Sequence, residues 1–367
     1  PAASAALLRP GRAREPREAL VVAPAGGAKC PVCAKPQKVG VVPNGLNEAS
    51  ALAPSPLHAG VYYSINDDPD DIAGEVPLLY AIRETGEVVA RFNLTGFDPM
   101  NELVWTKGGR VDVEAIQTGW CFTDGALRAG NCIIVGNVGH NCARTGCEFV
   151  RKSGLYALWQ FEEPDAMPAA GELGTLVGRQ LWFRFPGEGE NHDVETLLAG
   201  SGELLVVTKE NQGPSSVYRW PNLTADNSAS APAVLERVEA EPTLVHHTGR
   251  GGPAETVTEE KPGKAWKHLI TDGAVANTSG VVLLGYLDVL YYPRGPNATM
   301  EQALAGSPCH LPHPKMKQSE GVTWGVEDGT PFYLMIGEGK RSTIQKVRCP
   351  LGGVAASAAA RRGIGAS

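Results

Sequence analysis

The chain has 367 residues, a net charge of −7 and a pI near 5.7, enough length for one large β domain or two ordinary ones. No Lys/Arg cluster sits on a candidate helix, which argues against duplex nucleic acid as a partner, and no run approaches the ~20 apolar residues of a membrane span. Gly (44) and Pro (28) are abundant and helical periodicity is scarce, a balance that points to many short strands joined by turns.

Residues 1–35, rich in Ala, Pro, Arg and Gly, read as a tail or processed leader. No signal peptide is visible, and a start at Pro1 suits a mature or truncated chain. Cys30-Pro31-Val32-Cys33 has no second Cys-x-x-Cys to complete a zinc or redox motif. A pairing within the tail, or one that tethers the tail to the body, is the better expectation. Residues 36–350 read as one domain, and the Ala/Gly-rich residues 351–367 as a second tail.

Within the domain a short acidic phrase recurs: Asn47-Glu48-Ala49-Ser50, Asp112-Val113-Glu114-Ala115, Asp193-Val194-Glu195-Thr196, Asp272-Gly273-Ala274 and Ser319-Glu320-Gly321. Each copy leads into further β-like segments. The first is followed by Val61–Ile65, Leu78–Arg83 and Val88–Leu94. The second is followed by Cys132–Gly136, Leu155–Phe161 and Gln180–Phe185, and the third by Glu203–Thr208, Val217–Trp220 and Val234–Val238. Val281–Tyr286 and Val289–Tyr292 follow the fourth copy, and Phe332–Ile336 and Thr343–Val347 the fifth. Four-stranded groups repeated in sequence predict an all-β fold, a β-propeller of antiparallel four-stranded blades. Five groups imply five blades, with six left open by the irregular intervals. Pro36–Val42 is placed to supply the missing outer strand of the last group and close the ring.

If the phrase begins each innermost strand, its carboxylates surround one axis. Glu48, Asp112, Glu114, Asp193, Glu195, Asp272 and Glu320 are then candidate ligands for an axial Ca²⁺, because a hard divalent cation takes oxygen donors from several elements. Asp112 with Glu114, and Asp193 with Glu195, are expected to share a strand face. The competing reading is local: each acid fixes a turn by accepting backbone N–H bonds. The ends of the following strands supply Asn66, Asn137, His140 and Lys209 as candidate ligand-binding groups at the channel mouth. Gly136, Gly139 and Gly337 there read as turn residues that tolerate positive φ. The fourth copy is the odd one, with Gly273 where the others carry Glu, which predicts an opening beside that blade. His192 and Glu195 are the weak candidates for a general base. Asp67-Asp68-Pro69-Asp70-Asp71 lacks the EF-hand spacing and reads as a solvated acidic turn.

The eight cysteines are an even number, and four Asn-x-Ser/Thr sequons lie at Asn93, Asn222, Asn277 and Asn297. Together they point to a secreted, oxidised, glycosylated protein. Cys121 and Cys132 flank one hairpin, Cys142 and Cys147 close a small loop, and Cys309 and Cys349 are placed to staple the ring closure.

Leu46-Asn47-Glu48-Ala49-Ser50-Ala51-Leu52 followed by Val61-Tyr62-Tyr63-Ser64-Ile65-Asn66-Asp67 resembles the opening of a family of secreted, mostly uncharacterised bacterial β-propellers. Val111–Ile116, Gly136–Asn141, His192–Leu197, Val206–Glu210, Val217–Arg219 and Gln318–Gly321 follow that family's order, so the likeness spans about residues 46–347. More distantly it is similar to phytase-like and gluconolactonase-like propellers, which implies a divalent cation at the axis. Asn137 and His140 stand where that pattern carries Asp, and Asp68-Pro69 replaces Ser-Gly. These departures remove negative charge from one mouth position.

The expected function is a secreted binding or scaffold module stiffened by Ca²⁺, with a small molecule or an extracellular protein as partner. The alternative is a Ca²⁺-dependent hydrolase of a phosphoester or lactone at the channel mouth, where the metal lowers the pKa of a bound water.

Overall fold

The computed structural model describes residues 30–67, 77–96, 112–123, 126–140, 154–187, 189–209, 215–221, 227–238, 269–276, 279–314 and 316–350. Its strands form five separate sheets in ring order, so the chain is a five-bladed β-propeller. Blade 1 is β2 (Ala53–Pro54), β3 (Tyr62–Ile65), β4 (Leu78–Ile82) and β5 (Val88–Thr95), extended by β9 (Leu173–Val177). Blade 2 is β6 (Val113–Thr123), β7 (Ala126–Asn137), β8 (Leu155–Glu162) and β10 (Arg179–Arg184), extended by β14 (Ala233–Val234). Blade 3 is β11 (Val194–Gly200), β12 (Glu203–Thr208), β13 (Val217–Arg219) and β15 (Glu236–Arg237). Blade 4 is β16 (Ile270–Ala276), β17 (Gly280–Gly285), β18 (Val289–Pro293) and β19 (Cys309–Leu311), with the short helix α1 (Met300–Leu304) before its last strand. Blade 5 is β20 (Ser319–Glu327), β21 (Thr330–Gly337) and β22 (Thr343–Arg348), completed by β1 (Gln37–Val41).

The ring therefore closes as expected. β1 pairs antiparallel with β22, so the first strand of the chain is the outer strand of the last blade. The antiparallel expectation fails only at two blade edges, where β9 adds parallel to β5 and β14 parallel to β10.

Apolar sequence explains the stacking. The middle strands are buried on both faces and read as near-continuous apolar runs; every residue of β17 is buried. Tyr63, Phe92, Trp159 and Phe161 fill the space between blades 1 and 2, and Tyr156, Phe183, Phe185, Tyr218 and Trp220 that between blades 2 and 3. Each such side chain contributes about 1.5–3 kcal/mol by leaving water.

Three disulfides are present among the described residues: Cys30–Cys309, Cys33–Cys349 and Cys121–Cys132. Cys309 and Cys349 do staple the ring closure, but not to one another. Each takes one cysteine of the Cys30–Cys33 segment, which lies across the outer edges of blades 4 and 5. Cross-links at sequence separations of 279 and 316 restrict the unfolded chain strongly, and a native disulfide contributes about 2–5 kcal/mol. Cys142, Cys147, Asp68–Asp71, Asn222, Asn277, residues 1–29 and residues 351–367 lie outside the described residues. Asn93 is half-buried within β5, and Asn297 is exposed in a turn before α1.

Candidate functional site: the acidic channel mouth

The recurring phrase stands at the start of the innermost strand in blades 2 to 5, and in blade 1 it precedes β2, with Ala49 bridging Asn66; the same irregularity marks blades 2 to 5. The register between the first and second strands shifts between Val113 and Ala115, Val194 and Thr196, Ile270 and Asp272, and Ser319 and Gly321. The unpaired residue of each bulge is Glu114, Glu195, Thr271 or Glu320. A bulge leaves one residue out of the ladder and re-aims its side chain. This corrects one expectation: the fourth copy is aligned by Thr271, not by Gly273. Asp112 stays beside Glu114, since both side chains border the Gly139 backbone, and Asp193 acts on Glu195, but the bulge residues are the ones that line the mouth cavity.

The second strand of each hairpin then folds back on the first. The N–H groups of Asp67, Lys209 and Glu338 donate to the carbonyls of Glu48, Asp193 and Gln318, at 3.0, 2.7 and 2.8 Å. Val138 and Gly139 donate likewise to the Asp112 carbonyl. Bulge residues and second-strand ends meet in a cavity of about 210 Å³ lined by Glu48, Asp67, Glu114, Glu195, Glu320 and Glu338, with Lys209, Tyr286, Ser50 and Gln318. Six carboxyl groups thus face one amino group.

Two devices hold that charge. The first is an ion pair: Lys209 Nζ lies 2.5 Å from Glu195 Oε1, with both side chains buried. Burial alone would lower the Lys209 pKa, but Glu195 and Glu320 overcome it and keep the amine charged. The Nζ also stands 5.5 Å from the Tyr286 ring centre, a cation–π contact. The second device is protonation. Ser50 Oγ lies 2.6 Å from Glu114 Oε2 and 2.9 Å from the Val113 carbonyl. A serine hydroxyl has one proton, so both bonds form only when Glu114 supplies the other. Consistently, burial and then the charges of Glu195, Asp112 and Asp67 hold the Glu114 carboxyl well above the usual range. Glu338 behaves alike: burial, a hydrogen bond shared with Glu48 and the nearby Glu320 push its pKa up to about 8.

The other candidates have different occupations. The Asp272 carboxylate accepts the N–H groups of Gly273, Val322 and Leu52 at 2.7, 2.7 and 3.4 Å, tying blade 4 to blades 5 and 1 below the mouth. The Asp193 carboxylate accepts the His140 N–H, and Asn137 Oδ1 accepts the Asp112 N–H. Asn66 bonds the Glu48 N–H and the Gly45 carbonyl. None of Asp112, Asp193, Asp272, Asn66, Asn137 and His140 lines the cavity. His192 also stands outside it: its Nε2 is 2.6 Å from Glu190 Oε1 and 3.1 Å from the Tyr218 hydroxyl, and its ring packs on Phe185. Burial opposes the Glu190 charge, but hydrogen bonds from His192, the Gly187 N–H and Tyr218 outweigh it and hold the carboxyl low. The two candidates for a general base are therefore in separate environments. Gly136, Gly139 and Gly337 do not use positive φ. They are small because space is lacking: a Cβ at Gly139 would fall 2.4 Å from Asp112 Cγ and 2.6 Å from Glu114 Cγ.

The donor chemistry is that of a hard cation, all oxygen. Its arrangement is not a finished Ca²⁺ cage. Among the described residues no three Asp, Glu, His or Cys side chains converge as a metal would require. Asp67, Glu338 and Tyr286 complete the mouth without having been singled out as ligands in the sequence. The signal for Asp67 and Glu338 was their place at the ends of second strands, the position Lys209 also holds.

No protein-family model matches the chain, and no curated protein matches it significantly. Among solved structures it is similar to an α-L-arabinofuranosidase from Lactobacillus brevis, at 13% identity and a TM-score of 0.44 over 83% of this chain and 92% of that one. A Trypanosoma rangeli sialidase matches at 10% identity and a TM-score of 0.36, over 82% of this chain and 44% of that one. The NanB sialidase from Streptococcus pneumoniae matches at 8% and 0.36, over 80% and 39%. These likenesses carry no residue role, substrate or activity to this chain.

Proposed function

We propose that the chain is an extracellular binding module whose axial mouth takes up a divalent cation, Ca²⁺ in the first instance, against release of protons. The observation that carries this reading is the Ser50–Glu114 contact, which requires a proton on a carboxyl group buried among other carboxyl groups. Protons there do what a cation would do, and a cation that enters has protons to displace. Glu195 Oε2, buried and without a hydrogen-bond partner, adds an acceptor on the Lys209 side. Glu48, Glu338 and Asp67 interact with one another and with Glu320, which also acts on Lys209, and these four are the groups that would hold the ion. An extracellular setting is supported by the three disulfides, which persist where the environment is oxidising, and by the exposed sequon at Asn297. Among the described residues no helix is long and apolar enough to cross a membrane. The hydrolytic alternative gains no support, because Glu195 is committed to Lys209 and His192 to Glu190.

Calorimetric titration with CaCl₂ in two buffers of different ionisation enthalpy tests this. Saturable binding on the order of 10⁻⁴–10⁻³ M, with a buffer-dependent heat that reports proton release, is the expected result. Binding should tighten from pH 6 to pH 8.5 as Glu338 gives up its proton. An absence of Ca²⁺ binding at pH 8.5, where the mouth is most charged, would overturn it.

A further inference from the structure

The opposite end of the channel holds a second cavity, formed where the five innermost strands end. Its volume is about 420 Å³, twice that of the mouth and within the ~300–1,000 Å³ of small-molecule sites. Among the described residues no acidic side chain lines it, and Arg294 is engaged within the protein, where a guanidinium nitrogen reaches Ser201 Oγ at 3.4 Å. Leu52, Pro54, Trp120 and Val275 give it apolar surface. Local structure opens the space. β11 turns into β12 at Ser201 and Gly202, both at positive φ (51° and 79°), as in a tight hairpin turn, and this presents Ser201 at the rim. A second bulge in blade 2 falls at Gly119, also at positive φ (80°), where a Cβ would meet nothing within 4 Å. Blade 1 pins that bulge, since Thr118 Oγ1 donates to the Pro54 carbonyl at 2.6 Å, and Trp120 beyond it joins the wall.

The polar groups of this wall are of both kinds, donors and acceptors. The Thr323 hydroxyl, on a residue 1% exposed, has no hydrogen-bond partner and can both donate and accept. Ser201 Oγ accepts from Arg294 and has its own proton to donate. Thr118 Oγ1 has given its proton to the Pro54 carbonyl and can only accept. Gln117 Nε2 donates to the Gly273 carbonyl at 3.2 Å, and its Oε1 is a further acceptor. A carboxylate could only accept from such a wall and an ammonium could only donate, whereas a hydroxyl does both. We infer that this cavity is a binding site for an uncharged cyclic polyol of pyranose size, with one hydroxyl on Thr323, others on Ser201, Thr118 and Gln117, and the C–H face of the ring against Trp120 and Pro54. An indole supplies broad apolar contact beside polar groups, which suits a ring that is apolar on its face and polar at its edge. The buried Thr323 hydroxyl carries the most weight, because a hydroxyl kept from water is unfavourable until something bonds it. The charge of Arg294 takes no part in the recognition, and neither does an ion at the mouth.

The test is saturation-transfer NMR on the intact chain with D-glucose, D-galactose and myo-inositol, each set against cyclohexanol, a ring of similar size with a single hydroxyl. Saturable millimolar binding of at least one polyol is expected, with cyclohexanol at least ~10-fold weaker, since the missing hydroxyls forfeit several hydrogen bonds. Thr323→Val should weaken the bound polyol about 2- to 10-fold with no loss of melting temperature. Trp120→Ala should weaken it further by removing the apolar wall. If Trp120→Ala fails to fold, Thr323→Val decides the question. EDTA should leave binding unchanged. No saturable binding of any of the three polyols, equal binding of cyclohexanol, binding unaffected by Thr323→Val, or loss of binding on addition of EDTA would each overturn the assignment.

Discussion

The two ends of the channel are lined by the same five inner strands, yet among the described residues one gathers six carboxyl groups and the other none. The difference arises from how each strand begins and ends. At the mouth, bulges at Glu114, Glu195 and Glu320 turn acidic side chains inward, and folded-back second strands add Asp67, Glu338 and Lys209. At the far end the strands run into tight turns with small residues, and one arginine arrives from a third strand. Asp272 bonds backbone groups of blades 5 and 1, and Gln117, in the wall of the far cavity, bonds the Gly273 carbonyl of blade 4. Function in such a ring is set by local irregularity on a regular scaffold, which is why the shared fold says little about it.

The sharpest way to break the contrast is to remove the one cation of the mouth. Lys209→Met leaves Glu195 and its neighbours buried without a counter-charge, and breaking a buried pair from one side costs about 3–5 kcal/mol. Urea denaturation at pH 8 should show a loss of that size. At pH 5 the loss should shrink, because Glu195 can then take the proton that replaces the ammonium.

Asp272→Asn ranks next. The amide keeps one acceptor oxygen for three N–H donors from three blades, and stranding a buried donor costs about 1–3 kcal/mol. The change should lower the urea midpoint without altering Ca²⁺ binding at the mouth. A loss of Ca²⁺ binding with unchanged stability would mean that Asp272 belongs to the mouth after all.

How much of this was legible in the sequence follows from the same contrast. The blades were, because their middle strands are buried on both faces and must be apolar wherever the chain places them. Ring closure by residues 37–41 was also legible, since the last group lacked an outer strand. The edge strands β9 and β19 were not: they are short and largely exposed, or lie where no apolar run marks them. Val234–Val238, expected as one strand of the third blade, divides between two, β14 pairing with β10 of blade 2 and β15 with β13 of blade 3. The acidic phrase located the mouth, but an Asp that accepts backbone N–H groups looks the same in sequence as one that faces a cavity. Only the bulges separate Glu114 and Glu195 from Asp112 and Asp193. Thr271 hid the fourth copy because it is not acidic; its hydroxyl bonds the Ser319 carbonyl at 2.6 Å instead. The pairing of Cys30 and Cys33 with Cys309 and Cys349 depends on ring closure, which no local spacing encodes.

Glu338→Gln tests the protons of the mouth. With its pKa raised from 4.5 to about 8, Glu338 binds more proton in the folded chain than in the unfolded one. Its contribution to stability is therefore complete below about pH 4.5 and is lost as pH rises through about 8. Stability of the parent chain should fall across that window, and the Gln variant should show a shallower fall while differing little at pH 5. Added Ca²⁺ should flatten the parent's slope in the same way. A parent slope unchanged by the substitution would place the shared proton on another group.

The smallest effects give the finest comparison, because one chemical change can be made at both ends. Ser50→Ala removes a hydroxyl that accepts from the Glu114 carboxyl and donates to the Val113 carbonyl, leaving a buried donor and a buried acceptor without their partner. A loss of about 1–2 kcal/mol is expected. Thr323→Val removes a hydroxyl of similar burial that has no partner, and fills the same volume with a methyl group. Its expected effect on the chain without ligand lies between nothing and a gain of about 1 kcal/mol, since the desolvation of an unmet hydroxyl is relieved. Opposite signs for the two variants would show that the Ser50 hydroxyl is satisfied at the mouth and the Thr323 hydroxyl is not satisfied at the far end. A loss of more than about 1 kcal/mol at Thr323 would mean instead that its hydroxyl is already bonded in solution.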